Sequence, residues 1–299
     1  MMPVASEGEF EVRTRDGCVL RGFRYGAERT GSQSASALCL HGFSADANSM
    51  RAVARALDRA GVRVVVPDMR GHGLSASDLG KGLRPERLAR DMAEVCRALG
   101  LEDVFLVTQS FGGTVGLTLL QQAPSKLRIE ALYAFAPNWF VRPRKWREVR
   151  GWLPGTAKLL WRLGRRSGFL GNPVRGRIDY ESYAGRRDVD LPRMSEELRS
   201  LSWRVYALRF LALQRSRHRR TPDWQEISTL PVSIFAARRD TMVQNAELEG
   251  VSAQTGWSLD WVDCGHLGVA TEQEHADAWV RALLSRRANA IDRPLGSEE

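Results

Sequence analysis

Apolar residues along this chain fall into two rhythms. Nearly unbroken runs, Ala37-Leu38-Cys39-Leu40, Val62 to Val66, Val104-Phe105-Leu106-Val107, Ala131 to Ala136 and Val232 to Ala236, predict strands buried on both faces. Between them lie stretches with helical spacing. Pro85 to Leu99 sets Leu88, Met92, Val95 and Leu99 on one stripe, with Pro85 suited to the first turn and Gly100 ending it. Met50 to Ala60 stops at Gly61, and further helices are expected over Thr114 to Leu120, Ala246 to Ser252 and Glu272 to Leu284, with a last strand over Ser258 to Val262. At the start, Glu9 to Arg13 and Val19 to Tyr25 alternate around Asp16-Gly17 and predict a hairpin. Apolar strands alternating with helices imply right-handed crossovers and an α/β fold with a mostly parallel sheet covered on both sides.

The alternation stops between about Pro137 and Trp224. This stretch reads as helix and loop, and it holds six of the nine tryptophans: Trp139, Trp146, Trp152, Trp161, Trp203 and Trp224. Ser195 to Arg217 is its clearest helix, with Leu198, Leu201, Val205, Leu208 and Leu211 on one face. The expected organisation is a core of residues 1–137 and 225–286, a helical Arg/Trp-rich cap over 138–224, and a disordered tail over 287–299. Charge sharpens the division. Residues 141–220 carry 21 Arg and Lys against 7 Asp and Glu, whereas the rest of the chain carries 23 against 28, so the net +9 belongs to the insertion.

Composition excludes several classes. At 43% hydrophobic and 26% charged residues, the chain is that of an ordinary globular protein. No stretch approaches the roughly 20 apolar residues of a membrane span, and Met1 to Phe10 lacks the features of a signal peptide. Cys18, Cys39, Cys96 and Cys264 lie far apart without paired spacing, which predicts reduced thiols in a cytoplasmic protein. The histidines show no metal-ligand spacing and no phosphate-binding glycine fingerprint opens a helix, so neither metal nor cofactor is expected.

The chemistry gathers around Ser110. It follows a predicted strand and precedes a predicted helix in Thr108-Gln109-Ser110-Phe111-Gly112-Gly113, the strand–turn–helix setting of a nucleophile elbow. Serine needs a base and an acid to orient that base. Downstream histidines are His218, His266 and His275; His266, just beyond the last predicted strand, is favoured over His275 inside the final helix. Asp240 follows a strand at its C-terminal end and is the favoured acid; Asp263 competes but stands close to His266 along the chain, and Pro137-Asn138, another possible acid position, offers no carboxylate. Two backbone N–H groups are required for an oxyanion, and Phe111 and Phe43 are placed to give them. Gly42, Gly112 and Gly113 support these turns. Thr108 departs from the usual glycine two residues before the serine, and its branched side chain must be matched by small neighbours.

His41-Gly42-Phe43, Asp68-Met69-Arg70-Gly71-His72-Gly73-Leu74-Ser75, the elbow at Ser110, Asp240 and Cys264-Gly265-His266 together resemble the α/β-hydrolase superfamily, over about Glu9 to Ser285. The resemblance implies a Ser110–His266–Asp240 triad, a cap after the sixth strand, and a structural turn at Asp68 to Ser75. By style it points to monoacylglycerol lipases, lysophospholipases and small carboxylesterases. The expected activity is hydrolysis of an ester with an apolar acyl chain. A thioesterase or acyltransferase working on carrier-bound acyl groups is the alternative, and a non-catalytic binding module the next. The basic cap admits a pocket-lining role, contact with anionic membrane, or contact with an acyl carrier or other phosphate-bearing partner; without a recognisable binding module, no nucleic acid is expected.

Overall fold

In the computed structural model, residues 7–26, 35–43, 45–75, 83–139, 223–240 and 242–291 are described. The helix expected over Ser195 to Arg217 and the cap between 140 and 222 lie outside the described residues. Among the described residues, eight strands form one sheet in the order β1-β2-β4-β3-β5-β6-β7-β8. These are β1 (Gly8–Arg13), β2 (Val19–Tyr25), β3 (Ser36–Leu40), β4 (Arg63–Pro67), β5 (Asp103–Gln109), β6 (Arg128–Phe135), β7 (Val232–Ala237) and β8 (Ser258–Val262). The hairpin β1–β2 is antiparallel and joins β4 antiparallel; every later pairing is parallel.

Side-chain alternation explains why the strands are apolar throughout. In β5, Val104 and Leu106 enter one buried cluster while Phe105 and Val107 enter the other; Leu38 and Leu40 part from Ala37 and Cys39 in the same way. On the first face lie α2 (Pro85–Ala98), α3 (Phe111–Gln122) and α4 (Asn245–Thr255). On the second lie α1 (Arg51–Arg59, preceded by a 3-10 turn from Ala47) and, after the single-turn α5 (Gly268–Thr271), the long α6 (Gln273–Ile291). Trp279, fully buried among Phe135 and Phe235, anchors α6 to the sheet.

Two boundaries differ from the sequence pattern. Helix α6 continues to Ile291, into the stretch read as a disordered tail, because Arg287 ion-pairs with Glu130 of β6 at 2.7 Å and covers the Phe105 ring. Trp139 and Trp224, assigned above to the cap, instead pack in the core around Trp257, with ring centroids 5.7 to 6.0 Å apart. Trp139 and Trp224, on either side of residues 140–222, thus share one aromatic cluster with Trp257.

Candidate active site

Parallel strands end on a common edge, and the C-terminal ends of β3, β4, β5, β7 and β8 bring the chemistry-bearing loops together there. Ser110 lies between β5 and α3 with φ 53° and ψ −118°, a left-handed backbone that a side-chain-bearing residue holds only under constraint. The constraints are visible. Its N–H donates to Phe135 O at 3.0 Å, and its carbonyl accepts from Gly113 N at 2.9 Å and Asn138 N at 3.1 Å. Glycine is required at 112, where a Cβ would sit 2.4 Å from Leu40 O, and at 113, where one would sit 2.7 Å from the Pro137 Cβ.

Thr108 is accommodated from α3. Its Cγ2 occupies the space that a side chain on Gly116 would need, since a Cβ there would lie 2.9 Å away. The glycine missing before the serine reappears one helical turn into α3, so strand and helix still pack closely.

Asp240 and His266 meet directly. The imidazole Nδ1 lies 2.7 Å from Asp240 Oδ2, with the carboxylate fully buried and His266 2% exposed. The other oxygen, Oδ1, accepts from Met242 N at 2.7 Å and Val243 N at 2.9 Å. An ionised carboxylate can only accept, so Nδ1 carries the ring proton and Nε2 is left as the basic lone pair. The two loops are fastened to each other by Arg238 N to Val262 O and Arg239 N to Cys264 O, at 2.9 and 3.0 Å. Burial pushes the neighbouring Cys264 thiol up to about 12, which keeps it protonated and a poor nucleophile. His275 Nδ1 instead lies 3.2 Å from Glu272, and Asp263 lies beside Arg239 on the surface.

Phe43 and Phe111 are neighbours, their rings 5.9 Å apart and edge-to-face. The peptide ahead of each is held from its carbonyl side. Gly42 O lies 2.8 Å from His41 Nδ1 and accepts from Ala45 N at 3.3 Å; Ser110 O accepts the two bonds given above. In a trans peptide, C=O and the following N–H point in opposite directions, so pinning each carbonyl aims the N–H of Phe43 and of Phe111 the other way. Met69 N donates to His41 Nε2 at 3.1 Å, which leaves the ring proton on Nδ1, facing Gly42 O.

Asp68 to Ser75 is a brace. Asp68 accepts from Ala47 N (2.6 Å) and Leu74 N (2.7 Å), and Ser75 Oγ returns to Asp68 O at 2.6 Å. Arg70, wholly buried, forms a two-bond pair with Asp91 of α2 at 2.7 and 2.9 Å and reaches Asp16 of the β1–β2 turn at 3.0 Å.

Sequence reasoning passed over Gln109, Asn138 and Ala136. Asn138 acts through its backbone, and Ala136 holds φ 42° beside the elbow; neither leaves a compositional mark.

A family model described as alpha/beta hydrolase fold matches residues 38–272. The chain belongs to that family. Solved structures agree at the level of fold. A hydrolase from Pseudomonas aeruginosa PA01 is similar with TM-score 0.67 at 22% identity, covering 93% of this chain and 97% of that one. The enol-lactonase from Burkholderia xenovorans LB400 gives 0.68 at 19% identity, covering 93% and 100%. Among curated proteins, the magnesium-chelatase 30 kDa subunit of Rhodobacter capsulatus is 36% identical over 134 residues, 42% of this chain and 45% of that protein. This chain spans less than half the length of the curated relatives it matches. Among the described residues no helix is long and apolar enough to cross a membrane, and no group of His, Cys, Asp and Glu could hold a metal ion.

Proposed function

We propose that this alpha/beta hydrolase cleaves carboxylic esters with apolar acyl chains through an acyl-enzyme on Ser110. The observation that carries the reading is the buried Asp240–His266 bond of 2.7 Å on the same sheet edge as a serine held at positive φ. In the first half-reaction Ser110 Oγ attacks the ester carbonyl and its proton passes to His266 Nε2. The N–H groups of Phe43 and Phe111 receive the negative oxygen of the tetrahedral intermediate. Collapse expels the alcohol, which takes the proton from His266. In the second half, water gives its proton to His266 and its oxygen to the acyl carbon, and Ser110 is released protonated. Asp240 stays ionised and holds the imidazole in the required tautomer. Ser110→Ala should abolish turnover of a short p-nitrophenyl ester, and unchanged turnover would refute the assignment.

A second reading keeps the acyl-enzyme and changes the donor. The excess of Arg and Lys over residues 141–220 favours a phosphate-bearing acyl carrier, and so a thioester substrate or acyl transfer. Matched acyl groups offered as thioester and oxyester separate the two. The same charge favours peripheral contact with anionic membrane, which a comparison of turnover with and without anionic vesicles tests.

A further inference from the structure

Gln109 is the last residue of β5 and is 2% exposed. Its Nε2 donates to the His266 carbonyl at 3.2 Å, and because a carbonyl only accepts, that bond fixes which end of the amide faces the histidine loop. The other end faces Gly42. A Cβ at Gly42 would lie 2.4 Å from Gln109 Oε1 and 3.4 Å from its Cδ, and 3.3 Å from the Ser110 Cβ. Gly42 does not have the positive φ that would itself demand glycine. A side chain at 42 would have to displace the Gln109 carboxamide and would crowd the Ser110 Cβ. One side chain therefore spans the loop bearing Phe43 and the loop bearing His266, while its own backbone leads into Ser110.

We propose that Gln109 is a positioning residue that sets the gap between the oxyanion donor at Phe43 and the base at His266, with Gly42 shaped to receive it. The proposal rests on the Ser110–His266–Asp240 reading. The Asp240 and His266 loops are fastened to each other, so they can shift together relative to β5 without breaking their mutual bonds. The Gln109–His266 bond ties that pair to the nucleophile strand, and contact with Gly42 holds the oxyanion loop at a fixed distance on the other side. Misplacement of about 1 Å at such a site costs up to roughly 100-fold in rate.

Gln109→Met keeps length and removes the donor. It should lower kcat on a short p-nitrophenyl ester by about 10- to 100-fold with KM within about twofold, and slow fluorophosphonate labelling of Ser110 in parallel. Gln109→Glu should also move the acid limb of the pH–rate profile upward, because a carboxylate beside His266 favours its charged form. Gly42→Ala should cost a similar factor, and in a Gln109→Ala background the same methyl should cost no more than about twofold. Wild-type kcat and labelling in Gln109→Met, or an equal Gly42→Ala penalty in both backgrounds, would overturn the proposal; if Gln109→Met does not fold, the Gly42 cycle decides. Ser110→Ala is run alongside. If it hydrolyses and labels like wild type, the nucleophile assignment has failed, and Gln109 with it for a separate reason.

Discussion

Asp91 and Asp240 are both buried carboxylates facing a basic side chain, yet their surroundings set them to different tasks. Asp91 meets Arg70 through two hydrogen bonds and stands as an ion pair with Arg87 at 2.8 Å. Arginine stays charged at any working pH, so neither Arg70 nor Arg87 can take up and release a proton on demand. It joins the β1–β2 turn, the Asp68 to Ser75 brace and α2. Asp240 has one titratable partner and two backbone N–H groups. That arrangement gives both carboxylate oxygens donors and leaves the far nitrogen of the imidazole outside the pair. Under the proposed mechanism, whether a buried acid here serves structure or chemistry follows from whether its partner can change charge.

The largest way to test this contrast is Asp240→Asn. The amide presents its NH₂ or its carbonyl without enforcing the Nδ1–H tautomer, so kcat should fall about 10³- to 10⁴-fold, equivalent to roughly 4–5 kcal/mol in the barrier. Thermal unfolding should move only slightly, since the two backbone donors can still be served. Asp91→Asn should do the reverse. Leaving the buried Arg70 charge with Asp16 as its remaining carboxylate should cost about 2–4 kcal/mol of stability, read by urea unfolding, while kcat per folded molecule persists. Comparable kinetic losses in both variants would erase the distinction.

A smaller effect comes from Asp16. Burial pushes its pKa up, but hydrogen bonds from Arg70, Thr14 and the Cys18 N–H outweigh that and hold it well below the usual carboxylate range. A depressed native pKa contributes stability that is present above the ordinary carboxylate pKa and is lost as pH falls toward the native value. Asp16→Asn should flatten the acid slope of unfolding free energy below about pH 4. The smallest test concerns a buried polar atom with no hydrogen-bond partner, Thr108 Oγ1. Thr108→Val replaces that hydroxyl with a methyl of the same shape and should stabilise by up to about 1 kcal/mol, or leave stability unchanged, with kcat retained. Gly116→Ala should cost about 1–3 kcal/mol by crowding Thr108.

The core was legible because its physics is local. Runs such as Val104 to Val107 must be buried on both faces, and glycine or proline marks the ends of α1 and α2. Ser110, Asp240 and His266 could be singled out because a parallel sheet delivers its strand ends to one edge, and each follows a readable strand. What stayed hidden depends on pairs far apart in sequence. Thr108 departs from the usual glycine, and Gly116, eight residues on, gives it room; Gln109 carries no mark of its own in the motif, and its amide lies between Gly42 and His266. The continuation of α6 was equally unreadable, because it depends on Glu130, which is distant along the chain. Trp139 was counted with the cap on composition, whereas its indole N–H donates to Gly113 O at 2.9 Å and ties it to the elbow.

The central claim is that Ser110 is the nucleophile activated by the Asp240–His266 pair, and site mapping after treatment with a fluorophosphonate tests it most directly. Peptide mass spectrometry should find one covalent adduct on Ser110, absent from Ser110→Ala and formed at least 100-fold more slowly in Asp240→Asn. Ester turnover by a wild-type protein that carries no adduct, or carries it on another residue, would contradict the account.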